Sequence, residues 1–323
     1  MNAVVLAIAV LIDRFVGDPP WIWRRVPHPV VGFGHAISRA EWWLNRPAWP
    51  ERQRRMAGIA AILVLMALAA AVGWAITTAL AGFGFLGLLL TALVASVFLA
   101  QKSLADHVER VGTALDQDGL EAGRLEVSMI VGRDPADLDE PAVRRAAIES
   151  LAENASDGVV APWLALALFG LPGLLAYKML NTADSMIGHM DERHRAFGYG
   201  AARLDDLANW PAARLTALLF AVAALLRRGR ASAQRALSVA SRDARTHRSP
   251  NAGWPESAMA GALDLALGGP RRYGTVAVDA PMLNAGGRRE ADGQHLRRAL
   301  QIFATLCDLV LGVSFLLAIA AVL

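Results

Sequence analysis

A single cysteine, Cys307, stands in this chain of 323 residues, inside an apolar run. One thiol can neither close an intrachain disulfide nor build a multi-thiolate metal centre, so its expected role is packing. No constellation of histidine and cysteine supports zinc. The Gly-x-x-x-x-Gly-Lys-Ser/Thr phosphate loop is absent, and so is a dinucleotide fingerprint in the strand-to-helix context it needs. A serine triad cannot be built from local spacing. The most consequential absence is one of charge: residues 56–100 contain no Asp, Glu, Lys or Arg.

A helix in water needs a polar face, and this stretch offers nowhere to put one. A bilayer core takes roughly 20 apolar residues per helix, so the run predicts two spans, residues 56–76 and 80–100, joined by a turn over 77–79. A hairpin buried in a large soluble core is the alternative. The formal charge of +3 arises from arginines scattered among hydrophobic runs, without aromatic-basic interleaving. No nucleic-acid partner is expected; the arginines read better as anchors beside anionic lipid head groups.

Four further apolar runs predict membrane segments at 1–16, 158–180, 211–226 and 299–323. The first lacks the basic start and small-residue cleavage pattern of a signal peptide, and is a short span or an interfacial helix. The run 158–180 is interrupted by Pro162, Gly170, Pro172 and Gly173, which membrane depth tolerates only where protein or a polar cavity serves the backbone. The expected fold is therefore all-α and polytopic, with about four to six membrane-embedded helices, some broken or half-inserted. Polar regions 101–157, 181–210 and 227–298 lie between them. Arg46, Arg52, Arg54 and Arg55 precede the first strong span and place that loop in the cytoplasm by the positive-inside rule. If 158–180 and 211–226 are half-inserted, all three polar regions share that side; if both cross, 181–210 faces the other.

Chemistry-bearing residues gather at the edges of these runs. Glu149, Glu153, Asn154 and Asp157 precede the broken span on a helix that Pro141 is expected to open. Helix capping accounts for Asp157 but poorly for the other three together. Lys178, Asn181, Asp184 and Ser185 follow at helical spacing; a lone lysine here merely snorkels, whereas this stripe suits an anion and a metal. Asp205, Asp206 and Asn209 can approach one point as hard oxygen donors of the kind Mg²⁺ takes alongside phosphates. Arg203 and Arg214 flank them as paired-donor clamps, although acidic pairs beside arginines are commonly surface ion pairs. Charge beside a membrane run is costly and usually functional. A fourth stretch has a turn at Ser249, Pro250 and Asn251, then Pro255 and Glu256 opening a helix of small residues. His247 nearby reads as a base or, more simply, as a solvent-facing histidine.

In combination these stretches resemble the CobD/CbiB family of cobalamin-biosynthesis membrane proteins, the adenosylcobinamide-phosphate synthases. The likeness is carried by Asp13, Gly17, Asp18 and Pro19 with His28, Pro29 and Gly32, then by Glu153, Asn154, Ser156, Asp157, Gly158 and Pro162. It continues through Tyr177, Lys178, Asn181, Asp184 and Gly188, through Arg193 with Phe197 and Gly198, and through Arg203, Asp205, Asp206, Asn209 and Arg214. It closes on Ser249, Pro250, Asn251, Gly253, Glu256, Gly268 and Gly269, so that it spans essentially the whole chain as one domain over 1–323. Ala155 and Trp210 depart from the usual threonine and tyrosine without removing a charge.

The resemblance implies ATP-dependent amide formation between adenosylcobyric acid and aminopropanol, free or as its O-phosphate. ATP and Mg²⁺ are the implied cofactors, and cobalt enters with the corrinoid substrate. Asp184, Asp205 and Asp206 would hold the metal, with Lys178, Asn181, Arg203, Asn209 and Arg214 around the nucleotide. Glu153 or Asp157 would orient or deprotonate the amine. His28, Asn154, Arg193, Asn251 and Glu256 would accommodate substrate. Partners in this reading are membrane lipids, other late enzymes of the pathway and further copies of the chain. The setting is the bacterial cytoplasmic membrane, with the active site facing the cytoplasm. A transporter for corrinoids or another amphiphile, or a scaffold for such enzymes, is the alternative.

Overall fold

The computed structural model describes residues 2–132, 134–189, 191–273, 276–278 and 280–323, and its fold is that of a helical, multi-pass membrane protein. In chain order the helices are α1 (Asn2–Phe15), α2 (Pro20–Trp23), α3 (Pro29–Leu44), α4 (Glu51–Ala81), α5 (Gly84–Ser96), α6 (Gln101–Gln117) and α7 (Leu120–Ser128). They continue as α8 (Glu140–Asn154), α9 (Ala161–Ile187), α10 (Tyr199–Arg228), α11 (Arg230–Asp243), α12 (Gly253–Leu263) and α13 (Gly293–Ala320). Five helical runs are long and apolar enough to cross a bilayer: Glu51–Ala81, Gly84–Gln117, Glu140–Ile187, Tyr199–Arg228 and Gly293–Ala320. The expected segment 1–16 corresponds to α1, whose 14 residues reach only about 21 Å, short of a bilayer core; Met1 lies outside the described residues.

The chain divides into two compact units. The first comprises Met1–Leu99, Ala161–Asn209 and Val313–Leu323. Its long element, α4, spans roughly 46 Å and, beyond the charged stretch 51–55 at its start, is apolar on every side, with Leu63, Val64, Leu68, Val72 and Trp74 left exposed as a lipid-facing surface. It packs closely on α9 because Gly73 has no side chain: a Cβ there would stand 2.8 Å from the Pro172 backbone. The turn expected over 77–79 is not there. Thr77 and Thr78 hydroxyls donate back to the Gly73 and Trp74 carbonyls, the helix runs on to Ala81, and the chain reverses at Gly82 and Phe83, where Gly84 takes φ +55°. The second arm, expected over 80–100, consequently begins at Gly84, and α5 forms the first 13 residues of the spanning run Gly84–Gln117.

The interruption expected within 158–180 is real and sits at Gly170. Its φ of 67° and ψ of −161° break α9 ahead of Pro172 in a region of backbone space that essentially only glycine enters. The Asn2 side chain lies beside it, and the break borders a cavity of about 590 Å³ that Trp74, Thr77 and Phe169 also line. Non-helical backbone at membrane depth is thus served by protein and cavity, not left to lipid.

The second unit comprises Ala100–Val160 and Trp210–Gly312. As expected, α8 opens at Pro141, with Asp139 capping it by accepting from the Ala142 amide at 2.9 Å. A π-helical turn follows over Ala155–Val160. Helices α11 and α12 form a close pair sealed by small residues; a Cβ at Gly261 would stand 2.5 Å from the Arg235 carbonyl oxygen. Two short antiparallel ladders lie within 227–298, unanticipated by the helical reading: β1 (Leu267–Gly268) pairs with β4 (Met282–Leu283), and β2 (Arg271–Tyr273) with β3 (Val276–Val278). Pairs this short carry no period-2 signal to read. The last helix also starts earlier than residue 299, at Gly293, because Asp292 caps it by accepting from the His295 amide at 2.9 Å.

Candidate active site

In the first unit, the polar stripe expected on α9 forms as the 3.6-residue period requires. Lys178, Asn181 and Asp184 lie along one side of its last turns. Asp184 is an electrostatic neighbour of Asp205 and Asp206 on α10, and Asn181 is a side-chain neighbour of Asp205. Adjacent residues on a helix diverge by about 100°, so the two aspartates of the pair differ in surroundings. Asp205 is buried, whereas Asp206 is half-buried with Arg203 at 3.7 Å. Arg203 itself is exposed and also lies over the Tyr199 ring.

A chain of hydrogen bonds fixes Asp205. The Tyr177 hydroxyl donates to Asn209 Oδ1 at 2.8 Å, and Asn209 Nδ2 donates to Asp205 Oδ2 at 2.8 Å. The phenol therefore decides which way the Asn209 amide faces, and the amide holds the carboxylate. Asp205 Oδ1 is buried and has no hydrogen-bond partner among the described residues. A buried carboxyl beside two further carboxylates is relieved by a proton or by a bound cation. These hard oxygens fit Mg²⁺, which needs only one or two protein carboxylates when phosphates and waters complete its shell. Among the described residues no group of three or more His, Cys, Asp or Glu could hold a metal ion, so the three aspartates do not make a metal site by themselves. Tyr177 belongs to the same motif, yet sequence reasoning gives it no role. Its signal is its place one residue before Lys178 and one turn before Asn181.

His28, assigned to substrate, is tied into the scaffold. Its Nδ1 accepts from the Val30 amide at 3.2 Å and so caps α3, Nε2 faces Asp18 at 3.8 Å, and Trp23 packs edge-on against the ring. Burial holds its pKa below the ordinary 6.5, against the pull of Asp18, and the charge of nearby Lys178 acts in the same direction as burial. Arg193 is committed elsewhere: Nε donates to Glu41 Oε1 at 2.6 Å, and its carbonyl accepts from Asn45 Nδ2 at 3.0 Å. Burial opposes ionisation of Glu41, but the hydrogen bonds from Arg193 and Asn45 outweigh it and hold its carboxyl below the usual range. His194 joins this cluster through Asp191, whose pKa it lowers by hydrogen bonding.

In the second unit, Glu149 is buried and accepts from the Gly268 amide at 2.8 Å, which makes it a fastener for β1. Glu153, one turn on, is exposed; Asn154 spends its amide on the Ser150 carbonyl at 2.9 Å; Asp157 is half-buried in the π-helical turn. Arg214 lies 4.7 Å from the Trp210 ring centre and 4.9 Å from that of Trp254, and donates to Asn251 Oδ1 at 2.7 Å and the Pro250 carbonyl at 3.2 Å. The expected turn at Ser249 is present, with Ser249 Oγ accepting from the Asn251 and Ala252 amides. Glu256 is 1% exposed at the start of α12, with His247 Nε2 at 3.6 Å. His247 is accordingly not the solvent-facing histidine of the simpler expectation; its side chain is 15% exposed and packs against that carboxylate.

Residues 6–303 match the family described as CobD/Cbib protein. A protein named Cobalamin biosynthesis protein CobD from Sinorhizobium sp is 57% identical over 318 residues, covering 98% of both chains. Proteins of the same name from Brucella suis and Rhodobacter capsulatus are 53% and 43% identical, covering 97% and 99% of this chain and 95% and 98% of their own. No solved structure matches.

Proposed function

From the premise that this chain belongs to the CobD/Cbib family, we propose that it acts in cobalamin biosynthesis as an ATP-dependent amide synthase. It would join the free carboxylate of adenosylcobyric acid to aminopropanol or its O-phosphate in the bacterial inner membrane, its site facing the cytoplasm. The observation that carries this reading is the buried Asp205, held by Asn209 and Tyr177 beside Asp184 and Asp206, with a lysine less than two turns back on the same helix as Asp184.

An ionised carboxylate resists attack by an amine, so it must first be activated. In the proposed sequence a carboxylate oxygen of the corrinoid attacks the terminal phosphorus of ATP, giving an acyl phosphate and ADP. The amine nitrogen then attacks the acyl carbon, phosphate leaves, and the nitrogen gives up a proton. Phosphoryl transfer of this kind needs positioning and charge stabilisation more than a protein nucleophile. Asp184, Asp205 and Asp206 would hold Mg²⁺, which when bound supplies positive charge to the phosphate oxygens. Lys178 and Arg203 would bind phosphoryl oxygens, with Asn181 and Asn209 orienting the carboxylates. Arg214, with Asn251 and Glu256, would shape the turn against which substrate rests. Glu153 or Asp157 would take the proton from the amine, and His28, Asn154 and Arg193 would act through the scaffold around substrate.

Purified protein in detergent, given adenosylcobyric acid, ATP, Mg²⁺ and either amine, should add to the corrinoid the mass of the amine less water, only when ATP is present. Asp205→Asn and Asp206→Asn should each remove this turnover; unchanged activity and unchanged Mg²⁺ requirement in both would sink the metal assignment. The break at Gly170 in an apolar helix favours a second reading, transport of an amphiphile, since discontinuous helices mark many transporter sites. Corrinoid binding by folded protein without any mass change would select that reading, and retained function after loss of the Asp pair would point to a scaffold.

A further inference from the structure

Three sources of positive potential meet at one point of the second unit, away from every residue assigned above. Arg144 on α8 is 3% exposed. One of its terminal nitrogens, Nη2, donates to Asp116 and to Glu140, both at 2.7 Å, which locks the side chain in place. Its Nε and Nη1 are buried with no hydrogen-bond partner among the described residues. A guanidinium N–H buried without an acceptor is costly, because water's hydrogen bonds have been given up for nothing. Nη1 is aimed at the start of α13: it lies 3.2 Å from the position a Cβ on residue 293 would take. Arg297 Nη1 lies 3.2 Å from the same position. The third source is the amino-terminal end of α13 itself, a helix of 28 residues whose first amides and dipole favour an anion.

Three carboxylates, Asp116, Glu140 and the capping Asp292, already supply counter-charge around this point, but Nη1 has no acceptor among them. Asp292, which caps α13, also takes His295 Nδ1 at 2.7 Å, and Asp116 and Glu140 both reach Arg144 through Nη2 alone. None of these contacts serves Nη1. Gly293 lets the two guanidinium groups come this close to the start of α13, since a Cβ there would stand 3.2 Å from each Nη1. Beside it, Arg288 and Arg289 line a cavity of about 630 Å³ with Glu140, Glu290, Asp292 and His295; Arg144 and Arg297 are not among its lining residues. That volume suits a small organic molecule better than a lone ion. Arg288 is fixed there by its backbone, whose amide donates to the Asp264 carbonyl at 3.0 Å.

We propose that Arg144, Arg297 and the first turn of α13 form a binding site for a phosphoryl group, carried by a nucleotide or by a small phosphomonoester. Planar guanidinium groups suit phosphate oxygens, and the convergence of two of them on a helix start is the arrangement that ligand calls for. The site deepens the amide-forming reading, which already calls for a nucleotide and a phosphomonoester, and rests on it for its ligand classes; its binding test requires no turnover, so the two can fail separately.

Inorganic phosphate should be titrated calorimetrically into the full chain in detergent, in metal-free buffer at constant ionic strength, with chloride as the control anion. Saturable binding is expected, with affinity falling about tenfold or more in Arg297→Ala and in Gly293→Ala, the loss of a charge-assisted contact. Arg144→Gln should lose it too. Arg144 is buried and its variant is liable to misfold, so the decisive variant is that of the exposed Arg297, which should keep the wild-type elution volume and melting temperature. Competition then separates the sources: tighter binding of AMP than of glycerol 3-phosphate marks a nucleotide site, and the reverse marks a small phosphomonoester. Absence of saturable phosphate binding in folded wild-type protein, or equal affinity in Arg297→Ala and Gly293→Ala, overturns the assignment.

Discussion

At the scale of single residues, the main lesson is how differently neighbouring carboxylates are used. Asp205 is buried and held, Asp206 faces an arginine, and Glu149 fastens a strand, yet in the sequence all three are acidic residues beside apolar runs. Helical spacing made the stripe of Lys178, Asn181 and Asp184 legible. It could not reveal that Tyr177 reaches Asn209, a partner 32 positions away, because that bond depends on how α9 meets α10. Tyr177→Phe should cost about 1–3 kcal/mol of stability through the buried oxygen left unbonded, seen as a lower melting temperature. It should also lower corrinoid amidation by less than Asp205→Asn does. His28 was legible as part of a motif, but its function as a cap required the fold. Its lowered pKa sets a pH signature: the unfolded chain takes a proton first as pH falls through 6.5, so this contribution is present above 6.5 and is lost toward the lower folded value. His28→Asn, which keeps a capping side chain without a titrating ring, should flatten that part of the stability–pH curve.

At the scale of elements, hydropathy located the apolar helices but misplaced their joints. A count of apolar residues cannot see that Thr77 and Thr78 bond to their own helix, or that Gly82 and Gly84 supply the reversal. Glycine substitutions distinguish the two kinds of joint. Gly82 has φ −67°, and a methyl group added there would meet nothing within 4 Å, so Gly82→Ala should be neutral or stabilise by up to about 1 kcal/mol. Gly170→Ala must place a side chain at φ 67° beside Asn2 and should destabilise by about 1–3 kcal/mol. Thermal unfolding of both variants in one detergent checks the contrast. The loop after α9 is held by Glu41 and Arg193, a pairing of residues 152 positions apart that no local pattern announces. Because Glu41 is held below its ordinary value of 4.5, its contribution is complete above that pH and disappears as pH falls through the lowered value. Protease cleavage within residues 191–198 should accelerate in acid, and Glu41→Gln should show the faster cleavage already at neutral pH.

At the scale of the whole molecule, an uncharged stretch of 45 residues pointed to a membrane protein over a hairpin buried in a soluble core, and the long apolar helical runs bear that out. The two short ladders between 267 and 283 and the arginine cluster at α13 lay beyond reach, since they depend on contacts between distant segments. Sidedness can be approached through the lone thiol. Cys307 is buried and should stay unlabelled by membrane-impermeant maleimide in whole cells, whereas Arg52→Cys should react only once the cytoplasmic face is opened. The placement of Lys178 has a chemical consequence of its own. Of 32 cationic side chains other than histidine, only Lys102 and Lys178 are lysines, and Lys102 is paired with Asp106 at 2.6 Å. The arginines stay charged and poorly nucleophilic under all ordinary conditions, leaving two side-chain amines able to shed a proton and be acylated. An acyl-phosphate derivative of ATP, which hands its acyl group to a nearby lysine, therefore has only two side-chain amines to react with in this chain, and the labelled peptide tells Lys178 on α9 from Lys102 on α6. A single labelled peptide, read by mass, would report whether a nucleotide rests at the end of α9.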